Sequence, residues 1–576
     1  MRYTLGLATM DNSAAALFCD GDLIAAIEEE RLSRIKNDGS FPHLAIAEVL
    51  QIAGITLADL DRIAVYWQPW RVKTRALGSL RKITASPAAR AAVTSRIRDM
   101  FAPSGQEEKP DGSWGDLFRL RRILTSEHGP TKAKLHFVDH HRSHQLYAET
   151  MRDWSDCVSL SYDGGGEAHS TVLTVLKGNN RDVLTRHRWP NSLGHFYSTF
   201  TGFLGFRMLE GEYKMMGLAP YGEPVWRETI LKEILHLDDD GRYRLDTVLC
   251  DYHAALKGVF HPRLSELFSP PRAPDETPTK AHVDLAASVQ AAHEAALKHV
   301  LQPAQDAYPE LKRLALSGGC ALNVTANGRL LEDGIFDEII IPPAPHDAGC
   351  AIGAALSVLP AAVNREAVRS PYLGRDFSQD EISAALSTHC HRIPDAMDEA
   401  KLIDRTATML SEGRLVAWFQ GRAEFGPRAL GARSFLADPR RDEIRDALND
   451  KIKKRELFRP FAPSTTEEAA ADFFAIAQTS PYMNIVAKVR DDRVPAITHV
   501  DGTARVHTVS ATAHRRYHAL ITRFGEITGV PVLLNTSFNI QEPIVYSPEQ
   551  ALATFAASGV DALVMGDHIV MRDDLK

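Results

Sequence analysis

Two segments far apart in the chain follow one layout, and that repetition constrains the fold more than any other feature. The first is "YTLGLATMDNSAAALFCDGDLIAAIEEE": an apolar run, a polar turn, a second apolar run, an Asp-Gly turn and a third run. The second, "DCVSLSYDGGGEAHSTVLTVLKGNNRDVLTRH", has the same order, with "GNN" at its second turn. Short apolar runs punctuated by Asp, Gly and Asn read as strands joined by tight turns, and Asp-Gly is a strong hairpin signal. An aspartate stands at the first turn of each copy, Asp11 and Asp163. The copies share topology rather than sequence. With helical segments following each, the expectation is a duplicated α/β domain with a cleft between its halves; two unrelated hairpins are the alternative.

A chain of 576 residues exceeds one hydrophobic core and predicts about two to four domains. Apolar residues at 44% and charged residues at 24% place it among ordinary globular proteins. The net charge of -8 argues against a nucleic-acid partner held by bulk electrostatics, although the stretch from Arg71 to Lys134 is basic. Six cysteines (Cys19, Cys157, Cys250, Cys320, Cys350, Cys390) are scattered without a C-x-x-C pair. That excludes thiolate zinc fingers, offers no disulfide framework, and predicts a reducing cytoplasm. The N-terminus lacks a long apolar core, and no run reaches the roughly 18 apolar residues of a membrane span, so no membrane partner is expected.

Residues 70–126 are basic and helix-prone and read as a lid or insertion, although such a positive face is more commonly a solvated helical surface. Further on, "RLALSGGCALNVTANGRLL" reads as strand, glycine turn and helix. "IIIPPAPHDAGCAIGAAL" reads as strand, proline-rich loop and small-residue helix. The character changes around "PAAVNREAVRSPYLGRDFS". The expected domains are therefore 1–360 and 373–576, the second mixed α/β, with 361–372 as linker.

Three groups of residues carry chemistry. "VDHHRSHQLYA" sets His140 and His144 at i and i+4, so on a helix both imidazoles point from one face toward one spot, the geometry of a two-histidine metal clamp. His141 lies about 100° round the helix and falls outside the pair. An H-x-x-x-H pair by itself is more often two hydrogen-bonded histidines, so a third ligand must come from elsewhere. Asp347, on the loop of "PPAPHDAGCAIG", is one candidate, and Asp163, directly or through water, is another. Second, glycine turns follow strands at Gly164 and Gly165 and at Gly318 and Gly319, the latter leading to Asn323. Without side chains, such turns bring backbone N–H groups close to phosphate oxygens, as in a nucleotide site. Third, "FQGRAEFGPRALGARSFLADPR" spaces Arg422, Arg428 and Arg433 with glycine and proline, and "NDKIKKRELFRPFAPS" adds Lys453, Arg455 and Arg459. "LLNTSFNIQEPIV" adds Asn535, Thr536, Ser537 and Asn539 after a strand. Arginines in rigid loops suit forked binding of phosphate or carboxylate, so an anion site is expected here.

These segments, with "EEERLSR", "EYKMMGLAPYG" and "DGTARVHTV", resemble in order the NodU/CmcH (TobZ-like) family of ATP-dependent O-carbamoyltransferases. The resemblance implies a duplicated actin-like ATPase domain, similar to the tRNA threonylcarbamoyl enzymes, with a His-His-Asp metal site. A YrdC-like α/β domain that forms an acyl adenylate is implied to follow. In the implied reaction, carbamoyl phosphate and ATP give carbamoyl-AMP in the C-terminal domain. Arg428, Lys453, Arg459, Arg505, Asn535 and Ser537 match the motifs there, and Arg422 and Thr536 are taken as further nucleotide contacts. The carbamoyl group then passes by an internal path to the N-terminal domain, where a small hydroxylated natural-product acceptor takes it beside one divalent metal (iron, zinc or manganese). Magnesium is compatible with the ATP, and a homodimer with the assembly.

One departure bears on the acceptor's base. Where the family reads "HDSAAAL" this chain reads "DNSAAAL", so Asp11 stands at the histidine position. Asp11 is expected to serve as base; His169 or His195 is the alternative, and an acceptor that needs little activation the third. Two other functions compete with the transferase: a tRNA threonylcarbamoyladenosine-type enzyme, and a catalytically decayed nucleotide sensor. The net negative charge and the "GPRALGARS" module weigh against the first, and the retained arginine and histidine motifs against the second. A hydrogenase-maturation protein would need the missing C-x-x-C fingers.

Overall fold

Each strand triplet founds one sheet. In the first, β1 (Tyr3–Ala8) pairs antiparallel with β2 (Ala14–Cys19), and β2 with β3 (Asp22–Glu28). On the other side of β1, β4 (Leu60–Val65) and then β5 (Lys134–Phe137) join in parallel, giving the order β3-β2-β1-β4-β5. In the second, β6 (Cys157–Tyr162), β7 (His169–Lys177) and β8 (Asn180–Arg188) repeat the antiparallel triplet. A small hairpin of β9 (Leu235–Leu237) and β10 (Tyr243–Leu245) follows. Then β11 (Arg313–Ser317) and β12 (Glu338–Ile340) add in parallel to β6, giving β12-β11-β6-β7-β8. Strand for strand the two sheets have one topology, as the repeat predicts.

The computed structural model describes residues 1–71, 113–178, 180–359, 362–453, 455–456 and 458–576. Most of the insertion expected at 70–126 lies outside the described residues; its last part is the helix Trp114–His128. The chain forms two compact units, Met1–Glu29 with Asn37–Arg369, and Glu30–Lys36 with Ser370–Lys576. Among the described residues no helix is long and apolar enough to cross a membrane.

In the first unit, β1 and β2 are buried along nearly their whole length, which suits their continuous apolar runs. The parallel step from β1 to β4 needs a crossover, and the helix His43–Ala53 lies on that connection. The small-residue helix Cys350–Leu356 packs very close to its neighbours. A Cβ on Gly353 would lie 1.8 Å from the Ser143 carbonyl oxygen, and one on Gly6 of β1 would lie 1.9 Å from the Ala351 oxygen. Only glycine permits these approaches. They fix the segment carrying Asp347 against the helix His140–Thr150.

The second unit is built on eight strands. They are β13 (Val416–Phe419), β14 (Arg433–Ala437), β15 (Ala462–Thr466), β16 (Ile485–Lys488), β17 (Thr503–Val509), β18 (Val532–Ser537), β19 (Ala562–Met565) and β20 (His568–Met571). Their order is β16-β17-β15-β18-β14-β13-β19-β20. Alternation along β13 sends Val416 and Trp418 into one apolar cluster and Ala417 and Phe419 into another, so the sheet is covered on both faces. Tyr517, Leu520 and Phe524 of the helix Arg515–Thr528 lie in the first cluster, and Leu552 and Phe555 of Pro548–Ala557 in the second. The short excursion Glu30–Lys36 is held in this unit by Arg31 and Arg34. Arg31 donates to the Gly426 carbonyl (2.7 Å), and Arg34 to those of Ile544 (2.7 Å) and Pro543 (2.6 Å).

Candidate functional site

The first-unit site begins at a helix start. Asp139, two residues beyond β5, caps the helix His140–Thr150 by accepting from the Arg142 amide at 3.1 Å. His140 and His144 therefore fall one turn apart on a buried face. His140 Nε2 lies 3.1 Å from Asp163 Oδ2 and 3.9 Å from Asp347 Oδ1, and His144 Nε2 lies 3.4 Å from the same Asp347 oxygen. One ligand atom from each of these four residues falls within 4.8 Å of all the others. Both aspartates offered by the sequence thus reach the histidine pair. His141 is turned away, bonded to Ser161 Oγ (2.8 Å) and the His169 carbonyl (2.9 Å).

The electrostatics suit a cation. Burial holds the His144 imidazole down to about 4, so it stays neutral and keeps a lone pair. Its ring bonds the Pro345 carbonyl, while Nε2 is buried without a hydrogen bond among the described residues. Burial works to raise Asp163, but the hydrogen bond from His140 and the nearby histidines bring it well below the usual carboxylate range. Burial, with the charges of Asp163 and Asp11, pushes Asp347 up to about 8 although His140 opposes the shift. Two imidazoles and two carboxylates around an unbonded buried nitrogen fit a divalent metal. The Cys350 thiol is a further donor within 4.8 Å of the two imidazole nitrogens, and burial keeps it well above the ordinary thiol range.

Asp163 ties the two glycine turns together. Its carboxylate accepts from the Gly319 amide at 2.8 Å and the Gly165 amide at 3.4 Å. Gly318 holds φ 93°, and a Cβ there would lie 2.1 Å from the Tyr162 carbonyl oxygen. Gly164 faces His195, whose Nε2 lies 3.8 Å from where a Gly164 Cβ would stand; His195 stacks on Tyr252 with ring centroids 3.9 Å apart. His169 sits on β7, where burial lowers its pKa. Asn323 caps the helix Val324–Glu332 and exchanges hydrogen bonds with Gln290. Asp11 and Asn12 form the β1–β2 turn with φ 49° and 53°, a region that Asp and Asn tolerate. Asp11 is exposed and lies near enough for its charge to act on Asp347.

The second-unit residues also converge. Lys453 is buried, and its Nζ donates to the Ser537 carbonyl (2.6 Å), the Asn539 carbonyl (2.8 Å) and Asn539 Oδ1 (2.8 Å). Burial, then the charges of Arg455 and Arg459, hold it well below the usual lysine range, and Lys36 of the excursion adds to this. Arg505, on β17, is likewise lowered by burial and by Arg428, Arg455 and Arg459. Its Nε is buried without a hydrogen-bond partner among the described residues. Arg455 bonds Asn449 Oδ1 at 2.7 Å and lies 4.4 Å over the Phe461 ring. Asn535 is buried within β18, donating to the Ala429 carbonyl (3.1 Å) and Ser464 Oγ (2.9 Å); half-buried Thr536 and Ser537 end the strand. Arg422 is turned to the main chain, donating to Gly374 O (2.7 Å) and Leu373 O (2.9 Å). Arg433 is fully buried, 3.6 Å over Phe419 and bonded to three carbonyls. Neither is among the cations acting on Arg505.

Some residues of these sites carry no local signal in the sequence. Tyr66 directly follows β4 in the apolar run "IAVYW", yet its hydroxyl reaches Asp347 Oδ2 at 3.0 Å. Glu167 accepts from the Gln68 amide (2.9 Å) and the His140 amide (3.3 Å), buttressing the start of the histidine helix.

Comparison with known proteins gives these sites a family. Residues 3–356 match the carbamoyltransferase N-terminus model and residues 407–572 the carbamoyltransferase C-terminus model. The chain is 40% identical to an uncharacterised protein of Synechocystis over 99% of its own length and 97% of that protein's. It is 37% identical to the nodulation protein NolNO of Sinorhizobium fredii, over 98% of this chain and 79% of that one. Among solved structures, it aligns with component A of the (R)-2-hydroxyglutaryl-CoA dehydratase of Acidaminococcus fermentans at a TM-score of 0.32 and 14% identity, over 62% of this chain and 97% of that one. Matched through both of its units, the chain belongs to the carbamoyltransferase family.

Proposed function

We propose that the protein is an ATP-dependent O-carbamoyltransferase that works in two stages, the first unit being an actin-like ATPase fold and the second a YrdC-like domain. In the second unit, carbamoyl phosphate is hydrolysed to carbamate and phosphate. A carbamate oxygen then attacks the α-phosphorus of ATP, giving carbamoyl-AMP and pyrophosphate. In the first unit, a hydroxyl of a small acceptor attacks the carbamoyl carbon, its proton leaves, and AMP departs from an O-carbamoyl product.

The observation that carries this reading is the convergence of Arg428, Arg455, Arg459 and Arg505 with buried Lys453. These cations outnumber the nearby carboxylates, Glu456 at 3.7 Å from Arg459 and Glu542 acting on Lys453, so polyanionic phosphate among them would relieve their repulsion, and the cations would stabilise charge developing in the transition state. Lys453 spends its three donors on the Ser537 carbonyl and on the Asn539 carbonyl and Oδ1, which fixes the segment after β18 beside the arginines and keeps its charge at their side. In the first unit His140, His144, Asp163 and Asp347 would hold a divalent metal (iron, zinc or manganese), which when bound supplies Lewis-acid polarisation of a carbonyl or phosphoryl oxygen. Asp11 takes the acceptor proton; the glycine turns hold the Asp163 ligand, the Gly165 and Gly319 amides donating to its carboxylate and the Gly318 amide to the Pro345 carbonyl, with Gly164 facing the nucleotide phosphate.

The test follows the nucleotide. With ATP and carbamoyl phosphate the protein should release pyrophosphate, and with a hydroxylated acceptor added it should release AMP as well. Release of ADP would overturn the adenylate route. Nucleotide binding without turnover across a panel of hydroxylated acceptors would make the protein a sensor.

A further inference from the structure

We propose that Tyr66 is a positioning residue: its hydroxyl decides which oxygen of Asp347 faces the metal, and it ties that ligand to the turn bearing Asp11. The inference rests on the metal reading above. Tyr66 stands one residue beyond β4, at the end of a central parallel strand, and is fully buried. Its single hydroxyl hydrogen is shared between two acceptors within reach, the Met10 carbonyl and Asp347 Oδ2, the latter at 3.0 Å. Its ring lies 5.4 Å from that of His140. One side chain therefore touches the turn next to Asp11, one carboxylate of the cluster and one of its imidazoles.

The geometry divides the work of the Asp347 carboxylate. Oδ1 faces both imidazoles, 3.4 Å from His144 Nε2 and 3.9 Å from His140 Nε2, while Oδ2 is engaged by the phenol. A carboxylate with one oxygen engaged presents the other as a single-oxygen ligand; released, it can rotate and chelate through both. Partners of this kind, which orient a ligand without touching the metal, typically carry a 10- to 100-fold effect on affinity. The second acceptor extends the effect. The Met10 carbonyl precedes Asp11, so removing the hydroxyl leaves a buried carbonyl short of a partner and loosens a turn already held at positive φ. The phenol sets the metal ligand and the proton acceptor in one frame.

The test uses the full chain, with zinc as probe titrated against a chromophoric chelator. Wild type should bind zinc and His144→Ala should not. Tyr66→Phe, which keeps the ring and removes only the oxygen, should bind about 10- to 100-fold more weakly. An additional pair separates positioning from packing. If Tyr66 acts through Asp347, Tyr66→Phe should cost little further affinity in an Asp347→Asn background, whereas a packing defect would weaken both backgrounds equally. Undiminished zinc affinity in Tyr66→Phe, or additive losses in the double variant, would overturn the assignment while leaving the metal reading intact. Absence of zinc binding by the wild type would overturn the metal reading, and this inference with it.

Discussion

Asp11 is a carboxylate at a position where the resembled family carries an imidazole, and its surroundings make that exchange chemically meaningful. It sits at the tip of the β1–β2 turn at φ 49°, exposed, with its charge acting on Asp347 and Tyr66. Carboxylates as a class are weaker bases than imidazole, but a neighbouring metal would acidify a bound hydroxyl and reduce the basicity required. Asp11→Asn should lower carbamoyl transfer by about 10²- to 10⁴-fold, the range of a lost general base, without changing pyrophosphate release. Asp11→His should restore transfer. Full transfer by the asparagine variant would pass the role to another group, with His195 beside Gly164 the first to examine.

At the scale of elements, capping at a distance couples helix stability to pH. The helix His43–Ala53 begins after Pro42 and has no side-chain cap of its own. The Glu29 carboxylate, following β3, supplies it by accepting from the Leu44 (3.0 Å) and Ala45 (2.7 Å) amides. Burial outweighs these hydrogen bonds and pushes Glu29 up from 4.5 to about 7. The folded chain then binds the proton more tightly than the unfolded chain. The resulting stability is complete below about pH 4.5 and is lost as pH rises through about 7. For a group this buried the loss amounts to about 3 kcal/mol. Glu29→Gln cannot titrate, so urea unfolding across that window should show a flatter profile than wild type; equal slopes would remove the assignment.

The elements themselves were the most legible level. The strand triplets, the strand–turn–helix at Gly318 and Gly319 and the i, i+4 histidines follow from local periodicity, and all form as the pattern predicts. The excursion Glu30–Lys36 has no such signature: nothing local in "EEERLSR" says that Arg31 and Arg34 will bond carbonyls hundreds of residues away. Arginine density in the second unit was legible as well, but not its division of labour. Arg422 and Arg433 bond the main chain while Arg428, Arg455, Arg459 and Arg505 converge, a distinction that depends on which loop each faces.

For the whole molecule, the proposal separates two stages by site, and each should be removable alone. Arg505→Ala should abolish release of AMP and pyrophosphate while zinc binding persists. His144→Ala should keep pyrophosphate release while zinc binding and carbamoyl transfer are lost. Loss of pyrophosphate release in both variants would refute the division into two stages at two sites.

By itself the sequence determined the two-copy sheet topology, the single helix face shared by His140 and His144, and the cation-rich loops, because each is written in spacings of two to eight residues that act on local geometry. Only the tertiary structure decided that Asp163 and Asp347 both reach the histidine pair, that Tyr66 engages one oxygen of Asp347, and which arginines meet. Those contacts join residues far apart in the chain through the packing of whole elements, such as the close approach permitted by Gly353, and packing at that range leaves no periodic trace.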